Sequence, residues 1–190
     1  METTLEAVMW SGTVFRYASP EYATLDEFLS GRGSFKADGR WHLKDRNTPA
    51  VYTSLDFDTA SREAVAKARY YALPAESVLP LVVAAAKVNF LKLMDLTKTE
   101  VLLTLSRLRE TPGLFGPAEI CDLDWRKIRD QGGVAITQEI GVLAYEEGFE
   151  GLLVPSAAAR DTKGVNLVYF PDRLPMDRKP ELINPWNLPN

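Results

Sequence analysis

The sequence predicts an α+β fold in a single domain. Strand and helix signals interleave irregularly, without the steady alternation of a doubly wound parallel sheet. The 190 residues suit one domain with a sizeable core, and 46% hydrophobic with 25% charged residues is an ordinary soluble balance. No internal repeat or low-complexity segment interrupts the chain.

The elements follow in order. Thr13–Tyr17 is β-prone and reads as the first strand, and Asp26–Leu29 as a short helical turn. Gly31–Arg40 is a glycine-punctuated loop, followed by a short strand at Ala50–Ser54. Asp56 or Asp58 can cap the next helix, which is expected to run to about Leu73 before Pro74. Ala60, Ala64, Ala68 and Ala72 recur every four residues, a stripe that lets a helix lie close to a sheet. Val78–Val88 reads as a buried strand. Thr97 and Glu100 have capping-box spacing ahead of a helix with Val101, Leu105 and Leu108 on one face. Thr111–Pro117 is a loop, Asp122–Gln131 a helix ended by Gly132–Gly133. Ile136, Ile140 and Leu143 mark another helix, stopped by Gly148. Phe149–Val154 and Val165–Phe170 are late strands. Residues 1–170 thus form the domain; 171–190 form a proline-rich tail, anchored by Trp186, expected to pack on the domain or on a partner.

Net charge is −4, so there is no electrostatic footprint for direct nucleic-acid binding or an anionic membrane surface. One cysteine, Cys121, precludes an internal disulfide and fits a reducing compartment. The N-terminus lacks a basic start and apolar run, and the longest apolar stretch is about 11 residues where a span needs roughly 20. A soluble cytoplasmic protein is expected.

Several familiar sites are absent. His42 is the only histidine, which rules out a multi-histidine metal site, and no metal is expected. Neither a Gly-x-x-x-x-Gly-Lys phosphate loop nor a Gly-x-Gly-x-x-Gly fingerprint occurs. Taken singly, the polar residues have ordinary readings. Glu63 and Lys67 have the spacing of a helix-surface ion pair, worth a few tenths of a kcal/mol. Arg16 fits a strand-edge charge; Arg40 fits stacking on Trp41 or pairing with Asp38. Tyr17 and Tyr52 fit half-buried aromatics, Ser156 a turn or cap, and Cys121 an inert small residue.

Their order carries more than their identities. Phe15-Arg16-Tyr17, Gly39-Arg40-Trp41, Val51-Tyr52-Thr53, Glu63 on its helix, Val154-Pro155-Ser156 and Asn166 follow one another along the chain. This series resembles the RES domain family, named for its arginine, glutamate and serine, over roughly Val14 to Phe170. The resemblance implies an ADP-ribosyltransferase-like split β-sheet core flanked by helices. It implies an enzyme that consumes NAD as substrate, with no further cofactor, often as the toxin of a toxin–antitoxin pair. Cleavage of the nicotinamide–ribose bond leaves positive charge on the ribose, as in glycoside cleavage. A carboxylate must meet that charge, and arginines suit the diphosphate because a guanidinium grips phosphate with two parallel hydrogen bonds. By resemblance Glu63, Arg40 and Tyr52 are the catalytic set, Tyr52 lining the nicotinamide pocket. Arg16, Tyr17, Ser156 and Asn166 bind substrate, Arg16 on the phosphates. Two departures bear on substrate preference: His42 replaces the usual asparagine, and the segment from Glu63 to Ser156 is longer than in compact members. The acceptor is water (a glycohydrolase), phosphate (a phosphorylase) or a macromolecule (an ADP-ribosyltransferase). The implied partner is a helix-turn-helix antitoxin, and a homodimer is compatible. The rival reading is a catalytically silent RES fold serving as a nucleotide-sensing or protein-interaction module.

Overall fold

Two long strands carry the sheet: β1 (Val8–Ala18) pairs antiparallel with β3 (Val82–Asp95) from Trp10 opposite Phe90 to Ala18 opposite Val82. The computed structural model describes residues 5–18, 20, 25–70, 72, 74, 81–108 and 116–183, without the side chains at 25–27, 67, 68 and 108. β2 (Val51–Ser54) meets the other edge of β1 at one pair, Phe15 with Ser54. β5 (Val165–Tyr169) runs antiparallel to β2 and to β4 (Gly151–Pro155), and β4 lies parallel to β3 at Leu93–Asp95. The pairings therefore run β1-β2-β5-β4-β3 and return to β1, while β6 (Glu181–Ile183) pairs with the same edge of β3 further back. Closing the circuit occupies strand edges that would otherwise be open.

Among the described residues six helices complete the α+β fold: α1 (Leu25–Ser30), α2 (Phe57–Tyr70), α3 (Thr99–Leu108), α4 (Pro117–Asp122), α5 (Trp125–Asp130) and α6 (Ile136–Glu146). Alternation along the strands feeds two cores. Leu153, Leu167 and Tyr169 point toward Val14, Val88 and Phe90 within the strand circuit. Leu152, Val154 and Val168 point the other way, against Leu102, Leu105 and Ile140 of the helices. No helix among the described residues is long and apolar enough to cross a membrane.

Several local expectations are corrected. The third strand begins at Val82 and reaches Asp95. Up to Leu91 it is buried on one face only, Val88 and Phe90 being buried while Lys87, Asn89 and Leu91 are exposed; from Leu93 to Asp95, beside β4, both faces are covered. Small alanines at 84–86 hid this alternation, since they suit either face. Residues 75–80 lie outside the described residues. The helix expected over Asp122–Gln131 is α5, which starts only at Trp125: Asp122 instead closes α4, and Leu123 and Asp124 separate the two, Asp124 capping α5 by accepting from the Lys127 amide at 3.2 Å. Ala72 falls beyond α2 with a φ of 49°, so it is no part of the stripe; Ala60 is buried, and the side chain of Ala68 lies outside the described residues. At the head of α3, Asp95 organises the turn, taking both the amide and the hydroxyl of Thr97 at 3.1 and 2.6 Å.

Other signals act as expected. Asp56 caps α2 through the Thr59 amide and hydroxyl, at 2.8 and 2.7 Å. α6 ends in the paired bonds of a Schellman turn, Gly148 to Tyr145 and Phe149 to Ala144, with Gly148 at φ 72° supplying the left-handed residue. After β5 the chain makes two single turns, and Arg178 pairs with buried Glu150 at 2.6 Å before β6 joins the sheet. Trp186 and most of 109–117 lie outside the described residues.

Candidate active site

A cleft of about 270 Å³ opens between α2 and strands β1, β2 and β5, lined by Phe15, Arg16, Tyr17, Tyr52, Glu63 and Asn166 among others. Asp56 starts α2 so that Ala60, Glu63 and Ala64 face the cleft. The Ser156 hydroxyl donates to Glu63 Oε1 at 2.6 Å, and Asn166 Nδ2 donates to the same oxygen at 2.7 Å. A carboxylate oxygen only accepts, so the nitrogen of Asn166 must face Glu63; its oxygen then takes the Ser54 hydroxyl at 2.7 Å. Ser156 is itself buried and accepts from the Ala159 amide at 3.1 Å, which fixes its hydroxyl toward Glu63. Among the described residues no donor reaches Oε2 of Glu63. One oxygen is anchored and the other is open to a ligand.

Tyr52 presents its ring to the cleft while its hydroxyl is occupied behind it. That oxygen accepts from the Trp41 amide at 2.9 Å and lies 2.9 Å from His42 Nδ1. His42 Nε2 is 3.0 Å from the Ala37 carbonyl, so Nε2 carries the proton, Nδ1 accepts, and Tyr52 donates to it. Burial pushes the Tyr52 phenol well above its ordinary value and the His42 imidazole below its own. Gly39 completes this turn, because a Cβ there would come within 2.5 Å of the Tyr52 hydroxyl.

Arg40 stands outside the cleft lining. Its Nη1 donates to the Ile120 carbonyl at 2.8 Å, near the end of α4. Burial draws its guanidinium below the ordinary arginine value, opposed by the nearby Cys121 thiol and Glu63 carboxylate. Asp38 is taken instead by Arg129 at 2.9 Å. Arg16 lines the cleft, yet its Nη1 donates to the Phe28 carbonyl at 2.6 Å and its guanidinium carbon sits 5.3 Å from the Phe28 ring centre. Desolvation by burial pulls its value down too. The Tyr17 hydroxyl lies 3.2 Å from that of Ser61. Five of the seven expected residues thus line one cleft, Ser156 reaches it through Glu63, and Arg40 lies within electrostatic range of Glu63. The side chain of Lys67, the alternative partner of Glu63, lies outside the described residues.

The RES domain family model matches residues 13–189. The chain belongs to the RES domain family. No curated protein matches it. Among solved structures, a chain in the crystal structure of the M. tuberculosis MbcT–MbcA toxin–antitoxin complex has a similar fold: TM-score 0.67 and 22% identity, covering 94% of this chain and 84% of that one.

The RES domain also uses residues that the sequence did not single out. Buried Gln138 closes the head of α6 by accepting from the Ala135 amide at 3.1 Å, and donates to the Gly39 carbonyl at 2.9 Å, so it holds the turn that carries Arg40 and His42. Its only sequence signal is a helix-start position. Phe57 remains 53% exposed, beside Phe15 and Tyr17 with ring centres 6.2 and 5.9 Å away, and no periodicity marks it. Cys121 is buried, its thiol directed at the Pro155 carbonyl 3.8 Å away and pushed up in pKa by burial. No cluster of three His, Cys, Asp or Glu among the described residues could hold a metal ion.

Proposed function

We propose that this RES domain protein binds NAD in the cleft and cleaves the bond between nicotinamide and ribose, as the toxin of a toxin–antitoxin pair. The observation that carries the reading is Glu63: Oε1 is held by Ser156 and Asn166, and Oε2 is left open on the cleft wall. A carboxylate oriented in advance stabilises a developing ribose cation without reorganising during the reaction. The rings of Tyr17 and Tyr52 supply flat walls for nicotinamide, a stacking contribution of about 1 kcal/mol beyond burial. Leaving nicotinamide needs no general acid, which accords with a Tyr52 hydroxyl already committed to His42.

The toxin assignment rests on family membership and on the fold shared with a member of a toxin–antitoxin complex. The partner is then a helix-turn-helix antitoxin with a segment that blocks the cleft, the core is of ADP-ribosyltransferase type, and the site of action is the cytoplasm. Purified protein incubated with NAD should deplete it spectroscopically, and product masses separate ADP-ribose, phosphorylated ADP-ribose and a modified macromolecule. Persistence of NAD with every acceptor class, together with tight binding of ADP-ribose, would replace the enzyme with a nucleotide-sensing module.

A further inference from the structure

The cleft of about 270 Å³ is at the small end for sites that enclose drug-sized ligands, roughly 300–1,000 Å³, and so matches one half of a dinucleotide more closely than the whole. A diphosphate attached to that half extends toward its rim. Arg16, the cation in the lining, is largely buried and committed to the Phe28 carbonyl and ring. A further cation stands outward from Glu63, near the end of α2.

Tyr70 is the last residue of α2 and follows Glu63 by seven residues, two helical turns. It lies on the same face, about 10 Å further along the axis. Against its ring rests Arg126, the guanidinium carbon 4.6 Å from the centroid; the Trp125 ring is 4.5 Å from the same atom. Arg126 is half-buried on α5. Its charge acts on Arg40 and on Tyr52, both of which also sense Glu63. Glu63 and Arg126 therefore both lie within electrostatic range of Arg40 and Tyr52.

Arg126 makes no hydrogen bond or ion pair with any described residue. Its neighbours differ: Arg40 donates to Ile120, Arg129 pairs with Asp38, and Arg160 pairs with Asp122. Stacking against rings uses the flat face of a guanidinium and leaves its N–H edge free. Two guanidiniums close enough to repel, with one edge unpartnered, suit a ligand carrying negative charge on several oxygens.

We propose that Arg126 is a substrate-binding residue that grips the diphosphate of the dinucleotide, with Arg40 beside it. The identity of that dinucleotide rests on the NAD reading above; the diphosphate grip stands on Arg126 itself. Calorimetric titration of the full chain tests it with inorganic pyrophosphate, ADP and NAD. Arg126→Gln should weaken ADP and NAD by about tenfold or more, the scale of one charged hydrogen bond. Arg126→Lys, which keeps the charge and the fold, should fall between the two because it loses the paired geometry. Nicotinamide riboside, which lacks the diphosphate, should bind both variants as it binds wild type. Equal affinity of wild type and Arg126→Gln for ADP would overturn the proposal, as would failure of wild type to bind either pyrophosphate or ADP. Equal losses for ADP and the riboside would also overturn it, by showing that Arg126 shapes the cleft. ADP binding that depends on Arg126 in a protein that leaves NAD intact would overturn the NAD reading and keep the grip.

Discussion

Replacing Glu63 by glutamine isolates charge from architecture. Two donors converge on Oε1, from Ser156 at 2.6 Å and Asn166 at 2.7 Å. A glutamine carbonyl oxygen can take both, so the anchoring survives and the open position toward the cleft becomes an amide without charge. The expected loss in turnover is about a hundredfold to a thousandfold, the scale for removing one preorganised electrostatic contact in a transition state. The melting temperature should move by no more than about 2 °C, because no buried group loses its partner. Glu63→Ala supplies the contrast. It leaves the buried Ser156 hydroxyl and the Asn166 amide without their acceptor, at a cost of about 1–3 kcal/mol, or roughly 2–12 °C in a domain of this size. NAD consumption and thermal melting of the three proteins, measured side by side, separate the two effects. Full turnover by Glu63→Gln, alongside an active wild type, would refute a role for the negative charge.

Other expectations follow from the same contacts. Asn166→Leu removes one of the two anchors and should slow NAD turnover about tenfold or more, the worth of one hydrogen bond to a charged group; unchanged kcat would show that Ser156 orients Glu63 alone. Tyr52→Phe keeps the ring but strips the Trp41 amide and His42 Nδ1 of their partner, so stability should fall by about 1–3 kcal/mol in denaturant titration while the KM for NAD holds; a lowered kcat in an undiminished fold would give the hydroxyl a chemical role instead. Glu150 is held below the usual carboxylate value: burial alone would raise it, and the Arg178 guanidinium and Leu91 amide more than offset that. Its contribution is therefore present above the unfolded value of about 4.3 and lost as pH falls through the lower folded one. Arg178→Met should melt below wild type at neutral pH, and the gap should close in acid; a gap constant down to about pH 3 would detach the ion pair from stability.

How much of this was legible in the residues depends on whether the signal is local. The α2 cap at Asp56 and the stop at Gly148 are written in adjacent positions and were readable. The third strand was read too early because a run of valine and alanine has no visible period, whereas the open face shows only from Lys87 onward. The break at Leu123–Asp124 was missed because both flanking segments favour helix and only an aspartate capping the second betrays it. In the site, the ordered motifs singled out Glu63, Ser156 and Asn166, which the fold brings together from 93 and 103 residues apart. They also put Arg16 on phosphate, and no sequence pattern announces that Phe28 takes its guanidinium. Arg126 escaped notice because its aromatic neighbours come from two different helices.

The return of the strand circuit to β1 has a consequence for the order in which the site comes into being. The wall that presents Phe15, Arg16 and Tyr17 and the helix that presents Glu63 are made early on the ribosome. Ser156 and Asn166, which hold that carboxylate, arrive only with the last strands of the ring. Synthesis proceeds from the N-terminus, so a nascent chain that stops short of β5 has an unanchored Glu63 and no closed cleft. The anchored carboxylate is therefore assembled late and as a unit, and a product truncated before β5 lacks Asn166 as its anchor.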